Sequence, residues 1–284
     1  MRWSALVVCV LGVSIAACSS NSGGGDVSRG PTGPVDLGTP IGDANNPAHP
    51  LVKTTCGSQC PPGDATCPQS CPSLSANGAI VVAIDAYDET GDGKSIGNIY
   101  IQDASQPAPR GTPYSGITLF RAQRIPSDLP LHPGDGVDVD GTYQPFPGPA
   151  SGAFAVPLPE VVNGSLKLAY EGCPSRCYRP PTPIDVTADD FKDPKAGFAF
   201  VGRLVRMQNV TVTGVFAMPR QEAAIDGSAD SKSAKLVAAG QFISLVDAKA
   251  PAIVPGKTYK SVTGLLNYFY NFKLCPRSLA DIEP

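Results

Sequence analysis

Between residues 136 and 143 the chain reads GVDVDGTY, with Val137 and Val139 alternating against Asp138 and Asp140. A period of two is the mark of a strand with one apolar and one wet face. Comparable segments recur upstream and downstream: AIVVAIDAY (79–87), GNIYIQD (97–103), SGITLFRA (115–122) and AFAVPLPEVV (153–162). The prolines of the last suit an edge position, where a missing backbone donor costs least. Five short strands separated by Gly- and Pro-rich turns predict a small barrel or sandwich over 79–165. The chain holds 30 Gly and 30 Pro in 284 residues and no long helical apolar period, which points to a loop-rich all-β protein.

A second set of strands occupies 197–284. FVGRLVRMQNVTVTG (200–214) reads as one long strand, followed by a polar loop over 219–235 and a strand at QFISLVD (241–247). KTYKSVTGLLNYF (257–269) and FKLCPRS (272–278) form an expected hairpin turning at Tyr270 and Asn271. Two landmarks repeat between the halves. Residues 99–103 (IYIQD) pair with 243–247 (ISLVD), and 137–141 after Pro133-Gly134 pair with 262–264 after Pro255-Gly256. Such spacing suggests a diverged internal repeat.

The strand ending Tyr100-Ile101-Gln102-Asp103, the run Gly134-Asp135-Gly136-Val137-Asp138-Val139-Asp140-Gly141 and the closing 274–282 (LCPRSLADI) resemble the OB-fold domains that accompany secreted bacterial nucleases and occur in exported lipoproteins. The resemblance covers 79–165 well and 197–284 loosely. It implies two small OB-like barrels, the second more divergent. For activity it implies little, since one fold hosts many functions.

The amino terminus places the protein. Arg2 precedes an apolar run from Ala5 to Val13, too short for a bilayer span but suited to an export signal. Ile15-Ala16-Ala17-Cys18 resembles a lipoprotein lipobox, which implies cleavage after residue 17 and acylation of Cys18. Ser19 fits delivery to the bacterial outer membrane under the sorting rule best known from enteric bacteria. The remainder of 18–55 is rich in Gly, Ser, Pro and Asn and is expected to be a flexible linker, since it cannot bury enough apolar surface to offset ordering entropy. The implied partner is membrane lipid, and the implied location is the cell envelope.

In an exported protein cysteines are free to pair. Cys56, Cys60, Cys67 and Cys71 lie in CGSQCPPGDATCPQSC, with C-x3-C spacing and no histidine, which favours disulfides over zinc. The pairing that nests Cys60–Cys67 inside Cys56–Cys71 would make 56–78 a compact collar before the first strand. Cys173 and Cys177 repeat the spacing in a Cys/Pro-rich connector (166–196). They either close on each other or leave one to pair with Cys275.

Chemistry is sparse. The chain has two histidines, His49 in the linker and His132 beside Pro133, and neither belongs to a recognisable triad. Asp88, Thr90, Asp92 and Gly93 fit part of a calcium loop, yet Ile99 stands where its bidentate acid belongs. Asp138 and Asp140 share the wet face of their strand, and no phosphate loop or dinucleotide fingerprint is present. No catalytic residue, metal or cofactor is expected. Net charge is −3, but 79–165 carries four Lys/Arg against ten Asp/Glu, and 166–284 fifteen against eleven. Aromatic side chains beside cations are what single-stranded ligands need. They occur as Tyr100, Phe120, Arg121 and Arg124 in the first module. In the second they are Arg203, Arg206, Tyr259, Tyr268, Phe269 and Lys273. Of these, Arg203, Arg206, Tyr259 and Lys273 are the candidate ligand-binding residues, because their module is net positive. The expectation is a non-catalytic binding or envelope-scaffold lipoprotein. Alternatives are a surface binder of oligonucleotide or polysaccharide, or an accessory subunit of a secreted hydrolase.

Overall fold

The structure, a computed structural model, describes Ile41 and the chain from 56 to 284 except residues 58–59, 61, 86–96, 105–109, 145, 147–157, 170–177, 219–220, 248 and 250. Cys18, Cys173, Cys177 and the calcium-like loop therefore lie outside the described residues.

The first module is a closed five-stranded barrel. Its strands are β1 (Ser73–Ile84), β2 (Ile99–Gln102), β3 (Gly116–Leu119), β5 (Gly136–Tyr143) and β6 (Glu160–Leu168), with a short β4 (Gln123–Ile125) added alongside β6. β1 pairs antiparallel with both β5 and β2, β2 with β3, and β5 with β6. A parallel pairing of β3 with β6 closes the ring. Twelve residues of β1 serve both seams because register breaks after Ala76 and after Val81 let the strand coil. Gly78, at φ 71°, lies in the first break, and its N–H donates to Asp138 Oδ1 at 2.9 Å. Alternation in β5 is as expected: Val137 and Val139 are buried, Asp138 is half-buried and Asp140 is exposed. The barrel core collects Val81, Ile99, Ile101, Ile117, Leu119, Val139 and Leu166. Ile41, from the segment expected to be a free linker, is also buried in this core, so the chain is pinned to the barrel at that point.

The second module uses β7 (Ile184–Val186), a 3-10 turn (Ala188–Phe191), α1 (Pro194–Phe198), β8 (Leu204–Thr211), β9 (Glu222–Ala224), β10 (Leu236–Ala239), β11 (Thr258–Phe269), β12 (Asn271–Cys275) and β13 (Ile282–Glu283). Its sheet order, β7-β8-β11-β12-β10-β9, contains the path β8-β11-β12-β10-β9. That path repeats β1-β5-β6-β3-β2 of the first barrel, with the same sequence of antiparallel, antiparallel, parallel and antiparallel pairs. Here the seam between first and last strands is reduced. Thr213 N–H donates to Ala224 O at 3.0 Å, just beyond the end of β8. The core is aromatic, with Phe191, Phe198, Tyr268 and Phe272 in mutual contact at centroid distances of 4.6–5.6 Å. The all-β architecture of OB-like barrels is thus the fold of the chain.

Several boundaries differ from expectation. β1 begins at Ser73, inside the expected collar, and β6 runs through Leu168 into the expected connector, whose other end supplies β7. The polar loop at 219–235 contains β9. Most instructive is QFISLVD: it forms no strand. Gln221 Oε1 accepts the N–H groups of Leu245 and Val246 at 2.7 and 3.2 Å, replacing a sheet ladder, and Leu245 is a buried plug. The topological counterpart of β2 is therefore β9, not residues 243–247. The second landmark does hold, because β11 occupies the place of β5.

The expected nested staple is present. Cys56–Cys71 encloses Cys60–Cys67, with sequence separations of 15 and 7. Pro72 O accepts Tyr143 N–H at 2.9 Å, tying the collar directly to the end of β5. Cys275 is a buried free thiol, so it pairs with neither Cys173 nor Cys177.

A candidate ligand cleft between the two barrels

The barrels meet along a mixed core in which Val82, Ala83 and Tyr100 of the first pack against Leu204, Val237, Leu265 and Cys275 of the second. Backbones touch at Gly116 and Gly202. A Cβ on Gly116 would lie 2.4 Å from the Gly202 carbonyl carbon, and Gly202 itself sits at φ +80°. Beside this contact the surfaces diverge into a cleft of about 1230 Å³. That exceeds the roughly 300–1,000 Å³ common for small-molecule pockets.

Its floor is a polar network crossing the barrel boundary. Gln241 Nε2 donates to Asp85 Oδ2 (3.0 Å) and to the Tyr100 hydroxyl (2.8 Å). Asn267 Nδ2 donates to Gln241 Oε1 at 3.1 Å, and the Cys275 thiol reaches the same oxygen at 3.3 Å. Burial pushes the Cys275 thiol up to about 12; nearby Lys273 opposes the rise, and Glu222 and Asp85 add to it. It is therefore a neutral weak donor, not a nucleophile. At one side Lys273 Nζ bonds Glu222 Oε1 (2.6 Å) and Asn271 Oδ1 (2.9 Å), with both ion-pair side chains about nine-tenths buried.

The walls come from strand ends that turn aside at the rim. Phe120 and Arg121 follow β3, and Arg121 adopts φ 51° as the chain turns toward β4. Gln144 and Phe146 follow β5, with Phe146 fixed by two backbone bonds to Leu158 (2.7 and 2.9 Å). β6 adds Glu160, Val162 and Asn163, while β11 adds Asn267, Tyr268 and Phe269. Tyr268 is buried, which raises its phenol to about 12.

The expected binding residues are dispersed. Arg203 is wholly buried at the barrel contact, where its guanidinium donates to Ala199 O (2.9 Å) and Arg110 O (2.6 Å) and burial lowers its pKa to about 10. Arg206 forms a bidentate pair with Asp185 at 2.7 and 3.0 Å on the outer edge where β7 joins β8. Tyr259 is buried; its hydroxyl accepts Val254 N–H at 2.7 Å, and Lys257 lies over its ring. None of these three lines the cleft, whereas Lys273 does. Of the wider set of aromatic and basic residues, Tyr100, Phe120, Arg121, Tyr268 and Phe269 line it, whereas Arg124, whose Nη1 donates to Leu129 O at 3.3 Å, does not. Residues that pattern reasoning passed over are the amides Asn98, Gln144, Asn163, Gln241 and Asn267. An isolated amide carries no motif, and only convergence of two barrels makes these a set.

His132 is a turn residue whose N–H donates to Asp135 Oδ2 at 2.6 Å. Among the described residues no cluster of three or more His, Cys, Asp or Glu could hold a metal, and no helix is long and apolar enough to cross a membrane. The chain matches no protein-family model, no curated protein and no solved structure.

Proposed function

We propose that this chain is an exported lipoprotein, anchored in the cell envelope through an acylated Cys18, that binds a ligand between its two barrels without transforming it. The single observation carrying the binding role is the cleft itself: it is large, walled by aromatics from both barrels and floored by hydrogen-bonded polar groups. Groups already fixed in place lose little entropy when a ligand arrives, which favours binding. Among the described residues, the cleft carboxylates Asp85, Glu160 and Glu222 share the lining with no histidine, cysteine or serine. For anchoring, the support is the lipobox-like 15–18, since two or three acyl chains suffice for stable attachment.

Two measurements test this. Feeding an alkyne-labelled fatty acid to the producing cells should label the wild-type chain and not Cys18→Ser; equal labelling would remove the anchor from the proposal. Affinity capture of the acylated protein from native membranes should recover a component that Phe120→Ala/Phe269→Ala loses. Retention by that variant, with unchanged circular dichroism, would move the binding surface elsewhere.

A further inference from the structure

We infer that the cleft takes a neutral, hydroxyl-rich oligosaccharide, an inference that rests on the cleft being the ligand seat. Charge is the first argument. The described lining includes three carboxylates (Asp85, Glu160, Glu222) and two cations (Arg121, Lys273), and Lys273 is held by Glu222 within hydrogen-bond distance. A phosphodiester strand needs a surplus of cations along its path. It would meet a net negative wall here.

Hydrogen-bond polarity gives the second argument. A phosphodiester at neutral pH accepts and does not donate, so its backbone has nothing to offer a carboxylate. A sugar hydroxyl both donates and accepts. It can therefore pair with the amides Gln144 and Asn163 in either sense, and can donate to a carboxylate such as Glu160 in addition to the interactions that carboxylate already makes.

Shape and the aromatic faces agree. Phe120 and Phe269 are half-buried and Phe146 is 38% exposed, so rings from both barrels present partly open apolar surface to the cleft. A pyranose ring offers an apolar C–H face to such rings while its equatorial hydroxyls point to the polar floor. The Asp85–Gln241–Asn267 network keeps that floor in one arrangement. A volume of about 1230 Å³ suits several sugar units rather than one.

The test uses the full acylated chain in lipid nanodiscs and isothermal titration with cellohexaose, chitohexaose, xylohexaose and a twelve-residue oligothymidylate at low salt. Binding of at least one hexasaccharide, weakened tenfold or more in Phe120→Ala/Phe269→Ala, is the expected result. Gln144→Ala, a milder change on the wall, should weaken it as well and serves if the double variant fails to fold. Oligothymidylate binding that the same substitutions abolish would overturn the oligosaccharide while leaving the cleft as the seat. Saccharide binding indifferent to both substitutions would overturn the seat. Silence from all three hexasaccharides would overturn the oligosaccharide assignment.

Discussion

Arg203 is the residue whose environment departs most from its chemistry. A guanidinium is seldom fully buried, yet this one is, because two carbonyl oxygens at the barrel contact, of Ala199 and Arg110, need donors there. Its planar fork serves both, and its Cζ lies 5.4 Å from the centroid of the Phe200 ring. Arg203→Met keeps the volume and leaves both carbonyls bare. The expected loss is roughly 3 kcal/mol of unfolding free energy by urea titration, and a loss below about 1 kcal/mol would show that water replaces the guanidinium without penalty. Cys275 supplies a pH signature. Its folded-state pKa, raised by burial to about 12 from an ordinary 9.0, means the native state keeps a proton that the unfolded chain releases. Its contribution is therefore full below pH 9 and is lost as pH rises toward 12, at no more than about 1.4 kcal/mol per unit. Stability measured from pH 8 to 10.5 should fall less steeply in Cys275→Ala than in the wild type; parallel curves would contradict the assignment.

At the scale of elements, the two barrels share a strand path but not its closure. In the first, β1 and β2 match four residue pairs, from Ile80↔Gln102 to Ile84↔Ile99. In the second, the described part of the corresponding seam is the Thr213 N–H bond to Ala224 O at 3.0 Å and one isolated bridge, in which Ala217 and Glu222 exchange backbone bonds of 2.8 and 3.3 Å. Fewer bonds across a seam mean a lower opening free energy. Native-state hydrogen exchange should show the Thr213 amide opening sub-globally while the amides bonded between Ile80–Ile84 of β1 and Ile99–Gln102 of β2 exchange only on global unfolding. Equal protection of the two seams would contradict this. The weakness of β9 and β10 also explains why the sequence hid them. EAA and LVAA are short and alanine-rich, with little intrinsic strand preference. They are strands because β12 offers β10 a parallel edge, from Leu236↔Phe272 to Ala238↔Leu274. QFISLVD has the opposite history: strand-like in composition, it is turned inward by the side chain of Gln221.

For the whole molecule the decisive feature is how tightly the barrels are joined. Leu204 N–H donates to Gln102 Oε1 at 3.0 Å, and Arg277 Nη1 to Val82 O at 3.2 Å. Arg110 also reaches Asp190 at 2.8 Å. An apolar contact reinforced in this way should make unfolding a single transition. Far- and near-ultraviolet circular dichroism should trace one coincident curve in urea. Leu204→Ala, truncating a side chain only 1% exposed, should shift that curve by about 2–5 kcal/mol without splitting it. Two separated transitions in the wild type would show that the barrels are independent.

The sequence by itself determined the fold class, the alternation of β5, the β11–β12 hairpin (its turn at Tyr270, with Asn271 already in β12), and the spacing that permits a nested disulfide collar. All of these are local: side-chain period, turn chemistry and cysteine separation act over a few residues. The tertiary structure alone decided that Arg203 and Tyr259 are buried, that Ile41 enters the first core and that Cys275 stays unpaired. It also gathered Tyr100, Phe120, Phe269 and Lys273 with five unremarked amides around one cleft. Those outcomes depend on which faces of two barrels meet, and the energy of that meeting is carried by contacts such as Gln102 with Leu204, 102 positions apart. No periodicity along a chain records a contact of that range.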